Sequence, residues 1–109
     1  MTTPIPNQPV RGSSSGVAIM AVFDLLGRKW NMRILWELNH QPHSFRGLQA
    51  KCDDMSPSVL NSRIKQLSEA NLVLKTTEGY QLTPQGSALM QTLNPLREWA
   101  AEWEKGFSS

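Results

Sequence analysis

Two Ser/Thr-Pro steps, Ser56-Pro57 and Thr83-Pro84, punctuate the second half of this chain. A serine or threonine just before a helix accepts hydrogen bonds from the first free backbone N–H groups. Proline suits the first helical position because an N–H there would lack a partner. Each step therefore marks a helix start. Between the two helices lies a β-rich stretch, Leu72-Val73-Leu74-Lys75-Thr76-Thr77, followed by Glu78-Gly79 and Tyr80-Gln81-Leu82. Its residue types predict a small hairpin with Glu78-Gly79 as a two-residue turn. The order helix, hairpin, helix is thereby set for the C-terminal half.

Upstream, Val17 to Leu26 is apolar at Val17, Ala18, Met20, Ala21, Phe23, Leu25 and Leu26. It predicts a short helix closed by Gly27 at the left-handed cap position. A second helix is expected from about Lys29 to Asn39, apolar over most of its circumference except for a stripe of Lys29, Arg33 and Glu37. A helix that apolar is usually central. The stretch Asn39-His40-Gln41-Pro42-His43 ends it, and Ser44 is placed to cap a third helix from Phe45 to about Cys52. Asp53-Asp54-Met55 then forms a turn into the helix opened by Ser56.

That fourth helix is expected to run to about Ala70. At about 100° per residue, Leu60, Ile64 and Leu67 share one face. Ser58, Asn61, Ser62, Lys65 and Glu69 fall on the opposite face, with Gln66 beside them and Val59 and Arg63 on a flank. The last helix, from Pro84 to about Gly106, carries Leu89, Leu93, Leu96, Ala100, Trp103 and Phe107 at spacings of a heptad seam. Asn94-Pro95 is expected to bend or restart it. Residues 1–16 hold prolines, glycines and serines with little apolar content, so they are expected to form a flexible tail before a single domain over 17–109.

The fold class expected is α+β, mainly α: a winged helix-turn-helix, in which the second helix of the motif enters the DNA major groove. Small polar side chains let a helix approach closely, Asn and Ser can hydrogen-bond base edges, and Arg and Lys neutralise phosphates. Charge is distributed accordingly. Residues 28–65 carry seven basic residues against Glu37, Asp53 and Asp54, whereas residues 66–109 carry three basic residues against five acidic ones. The net charge of +2 is too small to name a partner by itself. No apolar run is long enough to span a membrane. One cysteine, Cys52, excludes an internal disulfide and a four-cysteine zinc site. A cytoplasmic location is the expectation.

Several spaced segments also resemble one family of bacterial regulators, the HxlR type. These are Gly27-Arg28-Lys29-Trp30 with Ile34-Leu35-Trp36-Glu37-Leu38, and Phe45-Arg46-Gly47-Leu48. Met55-Ser56-Pro57-Ser58-Val59-Leu60 with Arg63-Ile64-Lys65-Gln66-Leu67, and Leu82-Thr83-Pro84-Gln85-Gly86, continue the match in order. The resemblance covers about residues 17–107 and implies a homodimeric DNA-binding transcription regulator joined through its N- and C-terminal helices. Members of this family often carry a cysteine just before the first helix, and their wing is usually longer and richer in proline and basic residues. Here Val17 and its neighbours offer no cysteine, and the wing tip has only Lys75 near it. More of the binding then falls to the helix from Ser56.

The candidate DNA-binding residues are Ser58, Asn61 and Ser62 for base edges, Arg46, Ser56, Arg63 and Lys65 for phosphates, with Pro57 opening the helix and Lys75 on the wing. Arg63 could instead lie along the hairpin against an acidic group. The candidate dimer face is Leu93, Leu96, Trp99, Ala100, Trp103 and Phe107, because a chain this small has little else to cover two tryptophans one turn apart. Trp30 and Trp36 are assigned to the core. Cys52 is read as a half-buried residue whose thiol is held protonated by Asp53, Asp54 and the helix C-terminus. His40 and His43 lack partners at metal-ligand spacing, and no catalytic motif is found, so neither a metal, a cofactor nor an enzyme is expected. Two other readings stay open: a winged protein–protein module that has left DNA, and a regulator tuned by a small ligand at its dimer interface.

Overall fold

The computed structural model describes residues 3–7 and 18–107. Its centre is α2 (Asn31–His40), which buries Asn31, Ile34, Leu35 and Leu38. Those positions are three and four residues apart, so one stripe of the helix faces inward. Around it lie α1 (Ala18–Gly27), α3 (Phe45–Lys51), α4 (Pro57–Glu69), the hairpin β1 (Val73–Thr76) with β2 (Gly79–Leu82), and α5 (Pro84–Lys105). Leu25, Leu48, Cys52, Met55, Leu60, Ile64, Leu67, Val73 and Met90 complete one core shared by every helix and the first strand.

The caps sit where the Ser/Thr steps place them. Ser44, Ser56 and Thr83 accept hydrogen bonds from the N–H of Gly47, Val59 and Gly86 respectively. Gly86 also permits a close packing of α5 on the strand entry. A Cβ built there would lie 2.2 Å from the carbonyl oxygen of Leu72, so any larger residue forces the two apart.

Four expectations are corrected. Gly27 is the last residue of α1 and is not left-handed; the left-handed residue is Trp30, at φ 79°, which redirects the chain so that α2 starts at Asn31 rather than Lys29. The hairpin pairs Thr76 with Gly79, so its two loop residues are Thr77 and Glu78, one position earlier than expected. Gly79 instead occupies the first position of β2 at φ 112°, with His43 so close that a Cβ would meet its carbonyl oxygen at 2.5 Å. His43 forms a bridge with Tyr80 there, exchanging N–H···O bonds of 3.1 and 2.8 Å, and this backbone approach is why glycine is needed. Finally, α5 runs through Pro95 as one helix. The hydrogen bond that proline removes leaves the Gln91 carbonyl, on an exposed turn where water can replace the partner.

The tail expected over 1–16 lies mostly outside the described residues. Its described part, residues 3–7, lies against the body: Pro4 is buried, and the Thr3 hydroxyl donates to Glu69 Oε1 at 3.3 Å.

Candidate nucleic-acid interface

The helix-turn-helix is built by α3, the turn at residues 52–56, and α4. Asp53 and Asp54 both adopt left-handed backbone, φ 58° and 54°, a conformation that aspartate tolerates better than most residues. Gln49 holds the turn from inside: its carbonyl accepts from Asp54 N–H at 2.9 Å, and its side-chain amide donates to the Met55 carbonyl at 2.8 Å. Met55 drops into the core and fixes the entry angle of α4.

α4 buries Leu60, Ile64 and Leu67 and turns Ser58, Asn61, Ser62, Lys65 and Glu69 to solvent. Ser56, Pro57 and Ser58 are exposed at its N-terminus, where the Ser56 and Ser58 hydroxyls lie 3.1 Å apart. The helix N-terminus adds a favourable field for a phosphate. Gln66 was expected beside the outward face but is buried. Its Oε1 accepts from Arg63 Nη1 at 3.4 Å, and Arg63 Nε donates to the carbonyl of Lys29 at 2.9 Å. Arg63 therefore ties α4 to the start of α2, with no acidic hairpin partner, and only part of its guanidinium remains for an anion.

Arg46 is exposed on α3 and Lys75 is exposed on β1, its Nζ 5.6 Å from the Tyr80 ring centroid. The structure thus brings Arg46, Ser56, Ser58, Asn61, Ser62 and Lys65 onto the exposed surface of the helix-turn-helix, with Lys75 on the wing. Cys52 is fully buried rather than half-buried. Burial pushes its thiol up from the ordinary value, with Glu37 and Asp53 adding to the effect and Arg33 opposing it. The expected direction holds, but desolvation outranks the neighbouring acids. Arg33 donates to Glu37 at 2.9 Å and to the Lys51 carbonyl at 2.8 Å, so a cation closes the C-terminus of α3.

A second surface lies on α5. Leu96, Trp99, Trp103 and Phe107 are each more than half exposed, and Ala100 is exposed among them. Trp99 stacks on Trp103 with centroids 5.6 Å apart, and Phe107 meets Trp103 edge-on at 5.5 Å. Leu93, placed on the same seam, is half-buried against the protomer's own core, so the seam changes role between Leu93 and Leu96. Trp30 and Trp36 pack on the core as assigned, with the Arg97 guanidinium 4.8 Å from the centre of the Trp36 ring. The sequence reading missed Ile19 and Phe23 on α1, 48% and 60% exposed. The signal was available: α1 is apolar over more of its circumference than one buried stripe requires.

Among the described residues no group of His, Cys, Asp and Glu could hold a metal ion, and no helix is long and apolar enough to cross a membrane. What the outward face of α4 offers is hydrogen-bonding groups on short side chains, flanked by cations. That is chemistry for reading a polar, anionic surface.

Comparison with known proteins places this arrangement. An HTH-type transcriptional regulator of Methanocaldococcus jannaschii is 27% identical over 90 residues, covering 79% of this chain and 85% of its own. The HTH-type transcriptional regulator YodB of Bacillus subtilis is 27% identical over 90 residues, covering 76% and 80%. The crystal structure of quinone-bound YodB superposes with a TM-score of 0.72 at 28% identity, over 77% of this chain and 96% of that one. That of a possible HxlR family transcriptional factor from Thermoplasma volcanium gives 0.67 at 27% identity, over 77% and 82%. The family model described as HxlR-like helix-turn-helix matches residues 25–107. The chain belongs to the HxlR family of winged helix-turn-helix transcriptional regulators.

Proposed function

We propose that this regulator binds duplex DNA as a homodimer, with α4 in the major groove and the α5 aromatic face between the two copies. The observation that carries the reading is the pairing of two opposite surfaces on one small domain. α4 presents exposed Ser58, Asn61, Ser62 and Lys65, whereas α5 and the turn after it present exposed Leu96, Trp99, Trp103 and Phe107. A polar face with cations suits phosphates and base edges, and an aromatic face of that size suits a second apolar surface. Joining two copies supplies two recognition helices for half-sites about one helical turn apart. Ile19 and Phe23 on α1 are further exposed apolar side chains. Asn61 and the serines take base edges, while Lys65, Arg46, Ser56 and the free part of Arg63 take phosphates. Lys75 gives the wing one cation, so the short hairpin has a minor part.

The test is fluorescence anisotropy of labelled duplex DNA at two salt concentrations, with the mass read by light scattering on the same sample. A dimer whose affinity falls steeply with salt is expected. Lys65→Ala weakens binding to every sequence and lowers the salt slope by about one, and Asn61→Ala relaxes sequence preference by about 1–3 kcal/mol at one position. Equal losses on every sequence from both variants would remove the division between base and phosphate contacts. A monomer that ignores DNA at low salt would remove the whole reading.

A further inference from the structure

A cavity of about 500 Å³ lies where residues 4–6, α1, the α4–β1 turn and the N-terminal half of α5 meet. We propose that it is a binding site for a small, uncharged, largely apolar molecule of up to three aromatic rings, with the Pro4-Ile5-Pro6 segment as one wall. Its volume falls within the range of small-molecule sites, about 300–1,000 Å³. Four of its lining residues are alanines, Ala18, Ala21, Ala70 and Ala88, so short side chains from three elements leave the space open. Among the described residues its polar lining is neutral: Asn71, Gln85 and Thr92 offer hydrogen bonds, and no charged side chain lines it. An ion would lose its hydration there without a counter-charge, whereas a neutral ring system bearing one carbonyl, amine or hydroxyl would keep a polar partner. The N-terminal wall is itself attached. Pro4 is buried, and Thr3 reaches Glu69 at the end of α4.

The experiment titrates the full-length protein with N-phenyl-1-naphthylamine, a neutral fluorescent two-part aromatic, and with its anionic relative 8-anilino-1-naphthalenesulfonate. The expected result is saturable binding of the neutral probe at one site per chain, with the anion at least tenfold weaker. Ala88 and Ala18 are exposed positions on the rim, where a large residue can be added without disturbing the core. Ala88→Trp and Ala18→Trp should each weaken the neutral probe by at least tenfold with the thermal unfolding midpoint unchanged, and Ile5→Ser should weaken it severalfold. Binding that survives both tryptophan variants and disappears in a Trp99→Ser/Trp103→Ser protein would overturn the proposal, because the probe would then sit on the exposed aromatic face. So would saturation by a monomer and exclusion by a dimer, since a second copy would then occupy the cavity. An absence of saturable binding by the neutral probe would overturn it outright.

Discussion

α4 and α5 begin with the same signal, a hydroxyl cap followed by proline, and end as opposites. α4 is complete inside one protomer: Leu60, Ile64 and Leu67 are buried and the solvent face is polar. α5 buries Gly86 and Met90, leans Leu89 and Leu93 on the core, and then leaves Leu96, Trp99, Trp103 and, just past its end, Phe107 in water. A cap specifies where a helix starts and nothing about what covers it. The difference lies in the residues that follow. A polar outward face needs no partner to be stable, so whatever it binds is a matter of recognition. An apolar face of stacked aromatics gains free energy from being covered, by about 25 cal/mol for each Å² of apolar surface removed from water.

The largest effect that sharpens this contrast comes from one core residue and one exposed residue. Leu67 is wholly buried on the inner face of α4, so Leu67→Ala should lower the unfolding free energy by about 2–5 kcal/mol in a urea titration. Trp103 is 58% exposed, so Trp103→Ser should leave the stability of the isolated protomer nearly unchanged. It should instead abolish the dependence of the unfolding midpoint on protein concentration, since a dimer is stabilised by mass action. A Trp103→Ser variant as destabilised as Leu67→Ala at concentrations where the protein is monomeric would break the contrast, for it would place the end of α5 on its own domain.

The two caps give a smaller and more discriminating comparison. Ser56 is exposed and its hydroxyl accepts from Val59 N–H at 3.2 Å. Thr83 is buried, accepts from Gly86 N–H at 3.0 Å and donates to the Asn71 carbonyl at 2.7 Å, so one hydroxyl closes both the start of α5 and the end of the α4–β1 turn. Thr83→Ala should therefore cost about 2 kcal/mol and Ser56→Ala about 1 kcal/mol, with Thr83→Ser recovering most of the loss. Equal costs would mean that the Asn71 carbonyl finds water when the hydroxyl is gone.

The features that were legible in the sequence share a short reach. Ser44, Ser56 and Thr83 cap helices three residues away, and the buried and outward faces of α4 follow from one helix's own periodicity. The misplaced features depend on contacts from far along the chain. Gly79 takes its position because the His43 backbone lies against it, so the turn moves to Thr77-Glu78. Arg63 is drawn to a carbonyl 34 residues earlier, and Gln66 is buried beside it, although periodicity alone puts it next to the outward face. Trp30 adopts a left-handed backbone that nothing in its residue type suggests. Among the candidate site residues, Ser58, Asn61, Ser62, Arg46 and Lys65 are exposed as expected, whereas Arg63 is half-buried and turned to the Lys29 carbonyl, because a guanidinium can reach several acceptors.

The smallest predicted effect separates the two helices by pH. Cys52 sits at the end of α3, at the start of the turn that leads into α4, whereas the buried residues of α5, Gly86 and Met90, do not titrate. Burial, then Glu37 and Asp53, raise the Cys52 thiol above its ordinary value against the pull of Arg33. The folded protein then holds that proton more tightly than the unfolded chain does. Its contribution to stability is complete below the ordinary thiol value of about 8.5 and is lost as pH rises through the higher folded value. Stability against urea should thus fall over that alkaline window by more in the native protein than in a Cys52→Ala variant, while the two curves run parallel at neutral pH. Disulfide-exchange reagents should label Cys52 slowly at neutral pH unless the turn opens. Curves that stay parallel throughout, together with fast labelling, would mean that water already reaches the thiol and that the turn beneath α4 is looser than the helix it positions.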